Sequence, residues 1–214
     1  MKLHLSVEEV LTTTRSVRKR LDMDRPVDRA VVERCIELAV QAPSGGDAQA
    51  WHWIIVEDRS LITAIAQKYK ANFDKYTLKM EPLEPDDPRL LRSERNKTSA
   101  RYLADNIHRI PMLVLGCVDG RLNELPNAAQ APAWGSIIPA LWSFNLALRE
   151  YGLGTTWTTM HLMSYGEQIV AELLGIPFES VTQVALFPIA HTIGTDFFEA
   201  YRQPISEFTH YNKW

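Results

Sequence analysis

The chain has 214 residues, of which 46% are hydrophobic and 23% charged, which is the composition of one globular domain that buries its own core. Its net charge of −3 argues against general nucleic-acid binding, because the basic residues are clustered locally. No apolar run has the length of a membrane span and the first residues lack the apolar core of a signal peptide, so we expect a cytoplasmic protein.

A short helix is the first predicted element. Ser6 and Glu9 have the spacing of a capping box, and the helix should continue to about Thr13. A second helix is expected after Asp28, which can serve as its N-cap, because apolar residues then recur at helical spacing until about Pro43.

The stretch between these helices, residues 15–20, is called the basic segment below. It reads Arg-Ser-Val-Arg-Lys-Arg, and no acidic residue occurs between Thr12 and Leu21. Guanidinium groups bind phosphate through paired hydrogen bonds, and the Ser16 hydroxyl would add a donor. From these residues alone two interpretations stay open: a phosphate site, or a solvated basic turn.

The middle of the chain alternates loop, strand and helix. Residues 42–51 contain proline and paired glycine and predict a loop, and the aromatic and β-branched residues of 51–56 predict a strand. A helix is expected from about Ser60 to Leu78. A proline-rich acidic break and a charged run then predict an excursion at about residues 80–100, which is either a lid or a solvated surface helix.

Two strongly apolar elements follow that excursion. Residues 100–108 should be helical, and the continuous apolar run 110–118 predicts a buried strand. Residues 121–132 are expected to form a loop. Residues 133–151 then predict a long helix that is apolar on more than one side, so we expect it to be fully buried, in the core or at a subunit interface.

The remaining chain predicts one more helix, one more strand and a long tail. Residues 152–154, Gly-Leu-Gly, should end the long helix, and 155–159 should continue as strand and loop. A helix over 165–174 and a buried strand over 181–189 follow. The tail, residues 194–214, is polar with isolated aromatic residues, a pattern suited to wrapping over a partner subunit.

Motifs for side-chain catalysis are missing from the sequence. There is no dinucleotide-binding glycine motif, P-loop, nucleophile elbow or paired-cysteine motif, and the six histidines have no metal-ligand spacing. Cys35 and Cys117 both sit in apolar runs and are expected to be buried thiols rather than a disulfide. If the chain is an enzyme, a bound cofactor is expected to carry the reaction.

Four pieces of the sequence together resemble the FMN-dependent nitroreductase family. They are Arg15-Ser16-Val17-Arg18, the loop Ala42-Pro43-Ser44 with Gln49 and Trp51, the helix end Leu146 to Trp157, and Arg202-Gln203-Pro204-Ile205. The chain departs from the family pattern at two positions, with Asp47 where asparagine is usual and Ala50 where proline is usual. For Asp47 we favour a role in the turn.

The resemblance implies a fold and an assembly. The fold would be an α+β sandwich, a single nitroreductase-like domain over residues 1–214 with helices around a mixed, mostly antiparallel sheet. It would form an intertwined homodimer with FMN in the interface, touched by both chains. The long apolar helix would build much of that interface, and the tail would embrace the other subunit.

The resemblance also implies the residues that would hold FMN. Arg15, Ser16 and Arg202 would bind the phosphate, with a surface salt bridge as the alternative for Arg202. Val17 would pass its backbone along the flavin, and Arg18 would reach the phosphate or the pyrimidine edge, where a cation raises the reduction potential.

A second group would surround the flavin ring. Pro43, Ser44 and Gly45 would pack beside it, while Gln49 would either touch it or hold the loop. Backbone N–H groups at residues 158–160, namely Thr158, Thr159 and Met160, would point at the flavin N5 or O4, unless these threonines reflect only β-propensity.

The activity implied is a ping-pong oxidoreduction without side-chain catalytic residues. NADH or NADPH would deliver hydride to the flavin N5, and an electron-poor acceptor such as a nitroaromatic or quinone would then be reduced. Two alternatives stay open. One is a flavin enzyme of the same fold with other chemistry, such as reductive dehalogenation, flavin fragmentation or biosynthetic dehydrogenation; the other is a non-enzymatic flavin-binding dimer.

Overall fold

The computed structural model describes residues 2–79 and 81–214; Met80, at the start of the predicted excursion, lies outside the described residues. The helices are α1 Val7–Thr13, α2 Arg29–Ala39, α3 Arg59–Leu78, α4 Leu90–Asn106, α5 Asn127–Glu150 and α6 Gly166–Leu174. The strands are β1 Leu21–Asp22, β2 Trp51–Val56, β3 Met112–Asp119, β4 Leu153–Gly154 and β5 Val181–Thr192. No helix among these is long and apolar enough to cross a lipid bilayer.

The strands form one sheet in the order β1-β5-β3-β2, and β4 also pairs with β5. Every ladder is antiparallel. The short strands β1 and β4 both pair with the last residues of β5, where His191 is opposite Asp22 on one side and Leu153 on the other. This arrangement brings the basic segment, just before β1, close to the chain that follows α5.

Helices cover both faces of the sheet. One hydrophobic cluster combines α3, α4 and α6 with one face and includes Cys117, and the other combines α2 and α5 with the opposite face and includes Cys35. Both thiols are buried, as predicted, but they lie in different cores. The predicted α+β sandwich is therefore what the chain forms.

A glycine in β3 allows α5 to approach the sheet closely. A Cβ atom built on Gly116 would lie 2.2 Å from Cδ2 of Leu141, far inside van der Waals contact. A side chain at this position would therefore require Leu141, or the helix that carries it, to shift.

Local capping signals set most helix starts. The Ser6 and Glu9 side chains form the complete capping box of α1, and Asp28 accepts a hydrogen bond from the Ala30 N–H at the start of α2. Asp58 caps α3 through the N–H groups of Ser60 and Leu61. Strand β2 has the bounds that its sequence predicted.

The strand expected within residues 155–159 forms instead at Leu153–Gly154, and two other element predictions were wrong. Residues 127–132, expected as loop, form the first turns of α5, because the alanine-rich sequence around Pro132 favours the helix enough to accommodate that proline. Residues 90–97 of the excursion and the helix expected at 100–108 form one continuous helix, α4. The surface-helix alternative therefore holds for the secondary structure, and movement as a lid stays a prediction.

The long apolar helix α5 is not fully buried within one chain. Ile138 and Trp142, one turn apart, each remain 43% exposed. Residues 201–214 of the tail are exposed throughout, including the large apolar side chains of Ile205, Tyr211 and Trp214. The two apolar surfaces expected to meet a partner subunit are thus uncovered here.

Candidate functional site

The basic segment is fastened to the chain after β4. Ser16 and Thr155 form a parallel bridge, and the N–H of buried Val17 donates to the Thr155 carbonyl at 2.8 Å. Ser16 and Arg18 therefore reach the wall of an open cleft of about 1010 Å³, called the basic cleft below. Its other walls come from the end of α3, from Leu83, Pro88 and Arg89, from the first turns of α4, and from the tail at Tyr201 and Gln203.

Arg18 is a half-buried cation that makes no hydrogen bond or salt bridge to any residue the structure describes. Burial lowers the pKa of its guanidinium, and the nearby Tyr69 hydroxyl partly opposes that shift. A positive charge that is partly desolvated and lacks a partner is ready to receive an anionic ligand.

Arg15 makes contacts within the chain that the sequence did not predict. Its guanidinium donates four hydrogen bonds of 2.5–2.9 Å to the carbonyls of Thr12, Thr14 and Phe198, which takes four of its five N–H groups. Arg15 thus ties the tail to the N-terminal region and has one N–H left for a phosphate.

Arg202 reaches the same region from the other end of the chain. Its guanidinium is exposed and donates to the Tyr201 carbonyl at 2.9 Å. Burial, and then the positive charge of Arg202, lower the pKa of Arg15, while Glu199 raises it. The two guanidiniums are close enough to repel each other, and a phosphate between them would relieve that repulsion.

The threonine-rich segment offers fewer free backbone donors than expected. The Thr158 N–H donates to the Leu186 carbonyl at 3.1 Å, and the Met160 N–H points at Oγ1 of Thr158 at 3.4 Å. The N–H of exposed Thr159 has no acceptor among the described residues. Of the three predicted donors, Thr159 is therefore the one available to a ligand.

The predicted loop residues lie apart from the basic cleft in a single chain. The Gly45 N–H donates to Oγ of Ser136 on α5 at 2.9 Å, and Ser44 and Gly45 line a second cleft of about 260 Å³ against that helix. Pro43 and Gln49 are exposed on the same loop. One chain therefore carries the predicted ligand set as two separate groups.

Gln49 and Asp47 shape this loop. The Gln49 side chain donates to Oδ1 of Asp47 at 2.8 Å, and its N–H donates to Oγ of Ser44 at 2.8 Å. Asp47 has a φ of +54°, a conformation that aspartate tolerates better than most residues. Asp47 thus has the turn role favoured from the sequence. Gln49 holds the loop in one chain, and its contact with a flavin stays a prediction.

Sequence reasoning missed the cleft residues on α4. Arg92, Ser93, Asn96 and Lys97 line the basic cleft on successive turns of one helix face. Their spacing of one, four and five residues was visible in the charged run. This spacing alone does not indicate a ligand site, because a run of charged residues usually forms a solvated helix face.

Comparisons with known proteins match the fold over nearly its whole length. The model of the Nitroreductase family matches residues 11–191. A protein of Archaeoglobus fulgidus, with the provisional name NADH dehydrogenase/NAD(P)H nitroreductase, is 23% identical over 207 residues, spanning 96% of this chain and 97% of that protein.

Two solved structures share the architecture. An oxidised iodotyrosine deiodinase bound to FMN and 3-iodo-L-tyrosine has a TM-score of 0.71 at 19% identity, covering 94% of this chain and 96% of the deiodinase. A variant of an FMN- and NADPH-dependent nitroreductase from sphigopyxis sp. strain HMH has a TM-score of 0.69 at 22% identity, covering 98% of this chain and 100% of that nitroreductase. These likenesses confirm the predicted fold.

Proposed function

This chain belongs to the nitroreductase family, and we propose that it is an FMN-dependent oxidoreductase that uses NADH or NADPH to reduce an electron-poor acceptor such as a nitroaromatic or a quinone. One observation carries the proposal. Ser16 and Gln203, the chain neighbours of Arg15 and Arg202, come from opposite ends of the chain and line one cleft together with the unpartnered Arg18.

The donor set of the cleft suits FMN. A phosphate would bring negative charge to Arg15 and Arg202, and the Ser16 hydroxyl, exposed on the same wall, would donate to it. Arg18 would supply the free cation for the pyrimidine edge. The free N–H of Thr159 would donate a hydrogen bond to N5 or O4 of the flavin, as the resemblance implies for residues 158–160.

FMN, when bound, would accept a hydride from the nicotinamide and pass two electrons to the acceptor, while protons come from solvent. The chain would orient this exchange rather than catalyse it with an acid–base pair. His161, next to the proposed flavin contacts, is fully buried, and burial lowers its pKa to about 3, so it is neutral at pH 7.

The second ligand group would come from a partner subunit. We infer that Ser44 and Gly45 of one chain complete the site of the other, because they line a different cleft from Arg18 within one chain. The exposed faces of α5 and the tail would form the dimer interface. Trp142→Glu should then give a monomer that loses FMN, and a variant that remains dimeric by light scattering would contradict this interface.

The activity is tested with purified protein incubated with FMN and then desalted. We expect a yellow protein whose visible absorption is bleached anaerobically by NADH or NADPH and restored by menadione or nitrobenzene. Parallel lines in double-reciprocal plots would support the ping-pong order. A preparation that stays colourless after excess FMN would refute the proposal.

The alternatives give distinct results in the same experiment. A flavin that is bleached by neither nicotinamide would favour a non-enzymatic flavin-binding dimer. A flavin that is bleached but returns electrons to none of the nitroaromatics or quinones would favour other chemistry on the same fold, for example the dehalogenation named for the deiodinase neighbour.

A further inference from the structure

The basic cleft has more room and more charge than the proposed cofactor explains. Its volume of about 1010 Å³ is at the upper end of small-molecule sites, so it can hold a second molecule beside a cofactor. The described residues that line it include four cations and no aspartate or glutamate: Arg18, Arg89, Arg92 and Lys97. This local excess contrasts with the net charge of −3 for the chain.

Two of these cations have acidic partners. Arg89 binds Asp87 through both carboxylate oxygens, with Nη2 to Oδ2 at 2.6 Å. Hydrogen bonds from Arg89, with a smaller effect of the Arg92 charge, lower the pKa of Asp87 to about 2. Lys97 pairs with Glu94 at 3.0 Å. The charges of Arg89 and Lys97 are therefore largely compensated.

Arg92 is held in place without a carboxylate. Its guanidinium lies 4.3 Å from the ring centre of Tyr201 and makes no hydrogen bond or salt bridge to the described residues. Stacking on an aromatic ring orients a guanidinium while leaving its N–H groups free at the edge. The contact also joins α4 to the tail across the mouth of the cleft.

The neighbours of Arg92 complete a polar face opposite an apolar wall. Ser93 and Asn96 lie one residue and one turn further along α4, and both line the cleft. Tyr76 on α3, which is 41% exposed, supplies aromatic surface on the other side. An aromatic molecule with one anionic group would match both walls.

Building on the proposed function, we propose that the acceptor reduced here is an aromatic compound carrying a carboxylate or a similar anion, and that Arg92 is the residue that selects it. Arg92, with Ser93 and Asn96, receives the anionic group, and the ring of the acceptor packs on the side of Tyr76. Arg92 is a specificity residue and takes no part in electron transfer.

The chain provides a matched control on the same helix. Arg95 is an exposed residue of α4, carries the same charge and does not line the cleft. Arg92→Gln and Arg95→Gln therefore change the net charge of the protein equally. If the two replacements affect ligand binding differently, the difference is due to the position of Arg92 in the cleft and not to long-range electrostatics.

Binding is measured first, on FMN-saturated protein, by calorimetric titration with benzoate and with its neutral analogue benzamide. Arg92→Gln should weaken benzoate binding by about 5- to 30-fold, the lower part of the range for charge-assisted contacts because Arg92 is exposed. The affinity of Arg92→Gln for benzamide should change by less than about twofold. The affinities of Arg95→Gln for benzoate and for benzamide should also stay within about twofold of wild type. Equal loss of benzoate and benzamide in Arg92→Gln would overturn the proposal.

Turnover is measured second, with 4-nitrobenzoate and 4-nitrobenzamide as acceptors and NADH and NADPH as donors. We expect Arg92→Gln to lower kcat/KM for 4-nitrobenzoate alone, through a higher KM. If it instead raises the KM for NADPH and leaves benzoate binding unchanged, the cleft recognises the coenzyme phosphate and the proposal is wrong. If wild-type protein oxidises neither nicotinamide with any acceptor, the proposed function fails, and benzoate titration still tests the site.

Discussion

The replacement Arg18→Gln separates cofactor binding from stability most clearly. Arg18 and Arg20 belong to the same basic segment but have opposite surroundings. Arg18 has no partner among the described residues, whereas Arg20 donates to the Ile193 carbonyl at 2.8 Å and to Oδ1 of Asp196 at 2.6 Å. Each replacement removes one positive charge from the segment, so the pair is matched in charge.

The expected magnitudes follow from these partners. Arg18→Gln removes a charge-assisted contact to FMN worth roughly 1.5–3 kcal/mol, so the FMN dissociation constant should rise about 10- to 150-fold. It removes no hydrogen bond of the apoprotein and relieves a partly buried, unpaired charge. The free energy of unfolding without FMN should therefore change by less than about 0.5 kcal/mol, or rise.

Arg20→Gln should show the reverse. Loss of its bonds to Ile193 and Asp196 should lower the free energy of unfolding by about 1 kcal/mol, a modest value because the ion pair is at the surface. FMN affinity should stay within about twofold of wild type. The dissociation constants are obtained by fluorescence titration of apoprotein, and stability by urea unfolding with and without FMN.

Two results would refute this reasoning. One is an Arg18→Gln protein that binds FMN as wild type does, which would place the free cation outside the cofactor site. The other is a loss of more than about 1 kcal/mol of apoprotein stability in Arg18→Gln, which would mean that Arg18 has a structural partner after all.

Three further replacements test other parts of the fold. Arg15→Ala should leave a folded protein but weaken FMN binding about 10- to 150-fold. It should also speed proteolysis of the tail, because it removes the hydrogen bonds to the Phe198 carbonyl. Retention of FMN on dialysis would exclude Arg15 from the site. Gly116→Val should lower the free energy of unfolding by about 1–3 kcal/mol, and Leu141→Ala should recover part of that loss in the double mutant, a coupling that additive values would exclude. Burial lowers the pKa of His161 from 6.5 to about 3, so below pH 6.5 the unfolded state binds more protons. Wild-type stability should fall, relative to His161→Leu, by up to about 1.4 kcal/mol per pH unit as the pH drops from 6 to 4. Parallel pH profiles would show that His161 is protonated in the folded protein as readily as in the unfolded chain, and would refute the lowered pKa.

The parts of the fold that depend on local rules were predictable from the sequence. The Ser6 and Glu9 capping box, the Asp28 cap and the run of β-branched and aromatic residues in β2 each act over a few residues, and each gave the right element. Strands β1 and β4 were not predictable in this way. Each has two residues and exists because β5 supplies its hydrogen bonds, and no pattern within two residues can encode that partner.

The site was predictable in its composition more than in its geometry. The family resemblance implied that the basic segment and Arg202 belong together, and the effect of the Arg202 charge on the pKa of Arg15 is consistent with that. It could not show that the Phe198 carbonyl takes two of the Arg15 donors, because that contact joins distant parts of the chain. Nor could it show that Arg92 stacks on Tyr201.

The division of the predicted ligand set explains why the exposed apolar surfaces matter to the chemistry. Arg18 opens on the side of α3 and α4, whereas Ser44 and Gly45 pack on α5 in the other layer of the sandwich. The sheet lies between these layers, so within one chain the two groups line separate clefts. In the proposed dimer, a second copy would dock its α5 layer beside the first basic cleft, and the same docking would cover Trp142. Cofactor affinity and dimerisation should therefore be thermodynamically linked: raising FMN should tighten the dimer by the same factor by which dimerisation tightens FMN.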